Sequence, residues 1–301
     1  MRDIIRQLGG PVAPDSACIT QLTHEEDGEP YQAWRIDGPG GPFILKEAKE
    51  YEAAMYRDIL KDVPESVPRI YAEKTIEGKT YLLMEYVQGS DLRLCTRDKL
   101  KKALDALISM QRTFWEDRDH AGCGCPFETS LEQRRDRGRY LKDPVLEAAY
   151  AGFLAQYERL PRTLCHDDLL PFNVLAAEDR AVLIDWECGG ILPYPTSFVR
   201  LIAHGEEKEG AFFFMKQEDR EYAIAYYYDR LLADKGISRS AWQETLDYFL
   251  LYEYCEWVMV GNKYGTTDGA YFKKYLPMAK AQAEKILTRQ QTMGAASSFR
   301  L

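Results

Sequence analysis

The sequence predicts an α+β chain in two lobes, an antiparallel β-sheet first and a mainly helical part after it. Three observations carry that prediction. Short strand-like runs separated by turn signals fill the chain as far as Val87. From Asp98 onward, apart from one hairpin, apolar residues recur at helical spacing. Between these regimes Gln88-Gly89-Ser90 breaks the pattern, so the expected lobes are residues 1–87 and 88–301.

Taken in order, residues 1–16 read as a helix and linker, broken by Gly9-Gly10-Pro11 and Pro14. Strands are expected at 17–22, 31–36 and 42–46, with Asp37-Gly-Pro-Gly-Gly41 as a turn. Residues 47–60 form a helix in which Glu52, Met55, Tyr56 and Ile59 share one face. A strand region opens at Val67, followed by a hairpin of 74–76 and 80–84 around Glu77-Gly78-Lys79. The helix 98–115 places Leu100, Leu104, Leu107 and Ile108 on one side. Ser130-Leu-Glu-Gln133 reads as a capping box opening the next helix. Asp143-Pro144 supplies a cap and a first-turn proline for a helix to about 160. A short helix at 197–204 follows the break Pro193-Tyr-Pro195. Helices at 218–235, 240–261 and 268–290 come next, and the polar tail 293–301 is expected to fray.

Bulk composition narrows the function classes. At 301 residues, 46% hydrophobic and 29% charged, the chain can bury a substantial core, as soluble globular proteins do. A formal charge of −9 argues against a nucleic-acid partner, because phosphate backbones are bound by basic surfaces. It is compatible with a cationic substrate without requiring one. No apolar run reaches membrane-spanning length, and no basic segment followed by an apolar one opens the chain, so a cytoplasmic location and no membrane partner are expected. Seven cysteines, an odd number spread over a long chain, suggest free thiols in a reducing compartment. His120-Ala-Gly-Cys123-Gly-Cys125 has some zinc-like spacing but no second ligand pair nearby, so a Gly-rich loop with incidental thiols is expected.

The chemistry concentrates in residues 164–187. The runs Val174-Leu-Ala176 and Ala181-Val-Leu-Ile184 flank the polar turn Glu178-Asp-Arg180, which predicts a hairpin. That hairpin sets Asn173 beside Asp185, with Asp168 on the loop leading in. Two carboxylates and a carboxamide make a hard oxygen site suited to Mg²⁺, which takes one or two carboxylates and leaves room for phosphate oxygens. One carboxylate is then left to accept a proton from a hydroxyl.

His166-Asp-Asp168, Asn173 and Ile184-Asp-Trp-Glu187 together resemble the aminoglycoside phosphotransferase and choline kinase family of small-molecule kinases, with a protein-kinase-like fold. Protein kinases carry Asp-Phe-Gly where this chain has Asp185-Trp-Glu187. The resemblance implies ATP or GTP with Mg²⁺, Asp168 as catalytic residue, and Asn173 and Asp185 as metal ligands. It makes Lys46, at the end of the third strand, the contact to the nucleotide phosphates, held by Glu52, with Glu50 or Glu47 as alternatives. It makes 84–87 the hinge, with Met84 behind the base and Glu85 and Val87 offering backbone hydrogen bonds. His166 then braces the loop, and Asp167 stands where a smaller residue is commoner. The 23–30 connection lies where the family's phosphate-covering loop belongs, but it is rich in acids, and an ordinary hairpin loop is equally open. Thr196-Ser197 stand where the family usually has an Asp, which puts an anchoring contact in doubt, though not the chemistry.

The acceptor is less legible. Glu253, Glu256, Trp257 and Val260 fall on one helical face, and acids beside an aromatic ring suit an ammonium group. With Glu187 they are the candidate substrate contacts, pointing to an amino alcohol, choline-like compound or aminoglycoside. The plainer reading makes Trp257 a core aromatic with a solvated acidic rim. A non-catalytic, pseudokinase-like nucleotide-binding module is the alternative function, though it would be favoured by a missing Lys, Asp or Asn.

Overall fold

The structure is a computed structural model and describes residues 1–23 and 28–298, the last six by their backbone. Helix α1 (Arg2–Leu8) precedes strands β1 (Cys18–Thr23), β2 (Pro30–Gly38) and β3 (Gly41–Ala48). Helix α2 (Glu50–Asp58) then leads to β4 (Ile70–Ile76) and β5 (Lys79–Glu85). The five strands form one antiparallel sheet in the order β1-β2-β3-β5-β4. The turn between β2 and β3 is tight, with Gly38 opposite Gly41 and Gly40 at φ 108°, a left-handed region that favours glycine.

Alternation along β3 decides which side chain faces what. Phe43 and Leu45 pack with Ile36, Leu83 and Ile5 of α1 on one face. Lys46, one residue on, must project from the other face, toward α2. Helix α2 keeps Glu52, Ala53, Met55 and Tyr56 buried, so the apolar face carrying Glu52 is turned inward. Side-chain alternation and helical phase thus converge on one place.

The helical part contains α3 (Arg97–Thr113), α4 (Phe127–Gly138), α5 (Pro144–Arg159), α6 (Pro195–Ala203), α7 (Gln217–Tyr227), α8 (Arg239–Tyr264) and α9 (Ala270–Ser298). Two small antiparallel pairs sit among them: β6 (Arg162–Cys165) with β9 (Gly190–Pro193), and β7 (Val174–Ala176) with β8 (Ala181–Leu183). The linker from β5 is stapled to β7, since Ser90 and Ala176 exchange both backbone hydrogen bonds. Gly89 is required there, because a Cβ would lie 2.4 Å from the Ala176 carbonyl oxygen. Phe153 of α5 stacks on Tyr252 and meets Phe249 edge-on, joining α5 to α8 in the core. Among the described residues no helix is long and apolar enough to cross a membrane.

Several expectations shift. Helix α4 begins at Phe127, so Ser130 lies one turn inside it and is no cap. Its hydroxyl is instead buried against the Tyr157 hydroxyl at 2.8 Å, and a tertiary partner has displaced the local one. The helix expected over 218–235 ends at Tyr227 and continues as a π turn, Tyr228–Leu232, and a 3₁₀ turn, Ala233–Lys235. Of the tail 293–301 expected to fray, the backbone is helical as far as Ser298, and 299–301 lie outside the described residues. His120 is turned to Asp117 at 2.7 Å, and the loop after it docks through the Cys125 N–H onto the Gly189 carbonyl. Asp143 does cap α5, accepting from the Val145 and Leu146 N–H groups. Asp143→Ala should therefore lower stability by about 1 kcal/mol, read from urea unfolding.

Candidate active site

The loop 166–173 is braced from beneath. His166 is fully buried, its backbone N–H donates to Ser197 Oγ (2.8 Å), and its Nε2 lies 2.6 Å from the Ile184 carbonyl. A carbonyl partner requires the proton on Nε2, and burial lowers the imidazole pKa, so the ring is neutral. It is a strut between the loop and β8. Ser197 serves here as the anchor of the loop backbone.

Asn173 donates from Nδ2 to the Asp168 carbonyl (2.8 Å), and its own carbonyl accepts from the Ile184 N–H (3.0 Å). Its side-chain oxygen is thereby turned free of that bond. Asp185 follows at φ 67°, an uncommon conformation for a residue other than glycine, with its side chain 45% exposed. Strain of this kind gathers at functional positions.

Lys46 Nζ sits 2.6 Å from Glu52 Oε1 and 2.6 Å from Asp185 Oδ1. Of the three acids considered for Lys46, geometry brings Glu52; Glu47 pairs with Lys79 and Glu50 with Thr80. Burial pulls the Lys46 pKa down, while Glu52 and Asp185 push it past its ordinary value, so the ammonium stays charged. Glu187 pairs with Lys49, and carboxylate oxygens of Glu52, Asp185 and Glu187 lie within 4.8 Å of one another.

At the end of β5, Met84 is buried and pairs across to Ile44 and Ile70. The Glu85 N–H is spent on the Arg69 carbonyl (2.8 Å), and its carboxylate takes both prongs of Arg180 (2.7 and 2.8 Å). The Val87 N–H has no backbone carbonyl partner among the described residues. Of the connection 23–30, residues 24–27 lie outside the described residues, and with them the question of a phosphate-covering loop.

The acceptor side differs most from expectation. Asp168 Oδ1 accepts two bonds from Arg200, 3.2 Å from Nε and 2.9 Å from Nη2. The third nitrogen of Arg200 reaches Glu253 at 2.8 Å and Glu256 at 2.5 Å. Glu253 also meets His204 Nε2 (3.0 Å), and Glu256 meets Arg137 (2.6 Å) and the Tyr252 hydroxyl (2.7 Å). Burial alone would raise the Glu256 pKa; Arg200 and Arg137 outweigh it and hold it at about 2. Trp257 stacks on Tyr271 and Tyr275, with centroids 4.3 and 5.9 Å apart. The expected face of free acids beside an aromatic ring is therefore not presented. Glu253 and Glu256 are consumed by arginines, and Trp257 belongs to the packing between α8 and α9.

A cavity of about 320 Å³ opens over Asp168, lined among others by Gln133, Arg134, Arg137, Asp167 and Arg200. Asp167, at φ 60°, is held by Arg134 (2.5 Å), whose guanidinium lies between the Tyr157 and Tyr252 rings. None of the three arginines stood out in the sequence. The signal was there for Arg200, which sits in α6 among residues that are otherwise buried.

A β-sheet whose Lys46 on β3 pairs with Glu52 of α2, followed by a helical part that carries Asp168, Asn173 and Asp185, is a protein-kinase-like arrangement. Residues 23–232 match the model of the phosphotransferase enzyme family, and the chain belongs to that family. No curated protein matches in sequence. Among solved structures, the choline kinase of Streptococcus pneumoniae is 16% identical with TM-score 0.58, covering 94% of this chain and 97% of that one. A choline kinase of Cryptosporidium parvum Iowa II is 13% identical with TM-score 0.61, covering 97% and 96%. A thermostable mutant aminoglycoside phosphotransferase, solved as a ternary complex with ADP and hygromycin B, is 16% identical with TM-score 0.53, covering 95% and 97%. At these identities the likeness is one of fold.

Proposed function

We propose that this phosphotransferase moves the terminal phosphate of ATP or GTP to a hydroxyl of a small molecule. Residues 1–87 would hold the nucleotide and residues 88–301 the catalytic loop and acceptor. The observation that carries the reading is Lys46 held between Glu52 and Asp185, with Asp168 and Asn173 on the adjoining loop. Nucleotide use is supported by the neighbour solved with ADP. Seven unpaired thiols fit a reducing compartment.

Asp168 accepts the proton of the acceptor hydroxyl through the oxygen Arg200 leaves free. The hydroxyl oxygen bonds to the γ-phosphorus as the bond to the β–γ bridging oxygen breaks, and the nucleoside diphosphate departs. Lys46 neutralises phosphate charge. The donor set fits Mg²⁺: a half-exposed Asp185 carboxylate and the Asn173 side-chain oxygen are hard ligands of the kind the ion takes alongside phosphate oxygens. Bound there, the ion would neutralise the phosphates and orient them. The Val87 N–H is the hinge donor for the base, and Met84 lies behind it.

The test is transfer of labelled terminal phosphate from ATP or GTP to a panel of alcohols. Nucleotide binding without transfer to any alcohol would favour the non-catalytic module instead. Calorimetric Mg²⁺ titration with ADP tests the metal site. Asp185→Ala should weaken Mg²⁺-dependent binding by at least about tenfold, since even outer partners of a metal are commonly worth about 10–100-fold. Asn173→Ala should have a smaller effect, because a neutral ligand is lost. Equal metal dependence in wild type and both variants would remove these residues from the metal site.

A cationic acceptor, of the kind two neighbours are named for, draws its support from the family. Asp168 and Asp167 would be its carboxylates. The arrangement of arginines around them favours another class.

A further inference from the structure

We propose that the acceptor carries an anionic group, a carboxylate or a phosphate, which binds the open edge of Arg137 while its hydroxyl lies at Asp168. The proposal rests on the phosphotransferase reading of Asp168 and deepens it by naming the substrate class.

Most charged groups in the cavity are already satisfied by one another. Glu256 accepts Arg137 and Tyr252 on one oxygen and Arg200 on the other. Glu253 is 3% exposed and bound by Arg200 and His204. Asp167 is tied to Arg134, itself 3% exposed. Arg200 spends its nitrogens on Asp168, Glu253 and Glu256. An ammonium group entering here finds Glu253, Glu256 and Asp167 each already paired with an arginine, and the Asp168 oxygen that Arg200 leaves free is the one the acceptor hydroxyl needs.

Arg137 is the exception. Its Nη1 is anchored by Glu256 (2.6 Å) and the Tyr252 hydroxyl (3.2 Å), and its side chain is 51% exposed. No hydrogen bond is made by its Nε or Nη2 among the described residues. Two parallel N–H groups on one edge of a fixed guanidinium are the geometry that receives a carboxylate or phosphate bidentately. Gln133, one turn earlier on α4, lines the same cavity and adds an amide. A chain of contacts sets the spacing: Arg137 touches Glu256, Glu256 touches Arg200, and Arg200 touches Asp168. Arg137 and Asp168 line the same cavity, so one acceptor can set its anion on the first and its hydroxyl at the second. Asp167 and Asp168 do not repel it outright, because Arg134 and Arg200 lie against them.

The experiment is calorimetric binding to the full chain, with and without saturating Mg²⁺·ADP, using named probes. Gluconate and D-glycerate present carboxylates, glycerol 3-phosphate a phosphate, choline and kanamycin cations, and myo-inositol no charge. At least one of the anions should bind more tightly than the cations and inositol. Arg137→Gln should weaken that anion by about tenfold or more, as losing charge-assisted hydrogen bonds does, and Arg137→Lys should recover part of it. The ADP affinity of each variant, set in the other lobe, monitors folding. Preference for gluconate or glycerate over glycerol 3-phosphate identifies a hydroxy acid, and the reverse a phosphorylated alcohol. Tighter binding of choline or kanamycin, no binding by any anion, or wild-type anion affinity in Arg137→Gln overturns the proposal. Failure of nucleotide binding, or of transfer to every alcohol, would instead strike the phosphotransferase reading, and the anion arm without nucleotide is judged separately.

Discussion

Asp168→Ala is expected to bind Mg²⁺·nucleotide like the wild type while turnover falls by about 10²–10⁴-fold, the range a positioned proton acceptor contributes. Two structural facts make the prediction specific. One Asp168 oxygen is fixed by two bonds from Arg200, so the carboxylate is oriented before any acceptor arrives. Its backbone carbonyl is held by Asn173, which ties the same residue to the side of the site proposed for the metal. Asp167 is a poor substitute, because its carboxylate is already held by the buried Arg134. Asp168→Asn separates two roles. It keeps the shape and one acceptor oxygen but cannot take a proton, so turnover as low as in Asp168→Ala would assign the loss to proton transfer. Single-turnover kinetics with saturating nucleotide would show it, and turnover within a few-fold of wild type in Asp168→Ala would refute the role.

What could be read from the sequence was whatever local geometry fixes. The distance from His166 through Asp168 to Asn173 is set along one loop, and the hairpin around 178–180 carries Asp185 back to it. Lys46 and Glu52 were legible for a similar reason, since strand alternation and helical phase each dictate a direction. The short β6 and β9 were not, because four-residue strands carry too little periodicity to separate from loop. Nor was the start of α4, where burial of Ser130 against Tyr157 outweighed a local capping pattern. The acceptor face failed for a deeper reason. Helical phase correctly grouped Glu253 and Glu256, but which neighbour they meet depends on how α6 crosses α8. An arginine in an otherwise buried helix demands carboxylates, and Glu253 and Glu256 were the ones within reach.

That dependence gives the second large effect. Arg200→Ala should destabilise the fold by about 3–5 kcal/mol, the cost of removing one partner from a buried ion pair. Arg200 is a hub: its side chain is 16% exposed, and those of Glu253 and Glu256 are 4% and 17% exposed. Without it Glu253 keeps only His204, while Glu256 keeps Arg137 and Tyr252, and the two acids face each other a helical turn apart. The pH dependence has a definite sign. Glu256 titrates at about 2 in the folded chain against an ordinary 4.5, so its contribution is full above 4.5 and is lost as pH falls toward 2. Removing Arg200 removes much of that depression, so the gap between wild type and variant should be widest near neutrality and narrow as pH drops below 4.5. Arg200→Lys keeps a charge but cannot reach three carboxylates at once, and should lie between the two. Urea unfolding of all three proteins across that pH range measures the gap. A loss below about 1 kcal/mol, the upper end for surface pairs, would show that the network behaves as an exposed cluster rather than a buried hub.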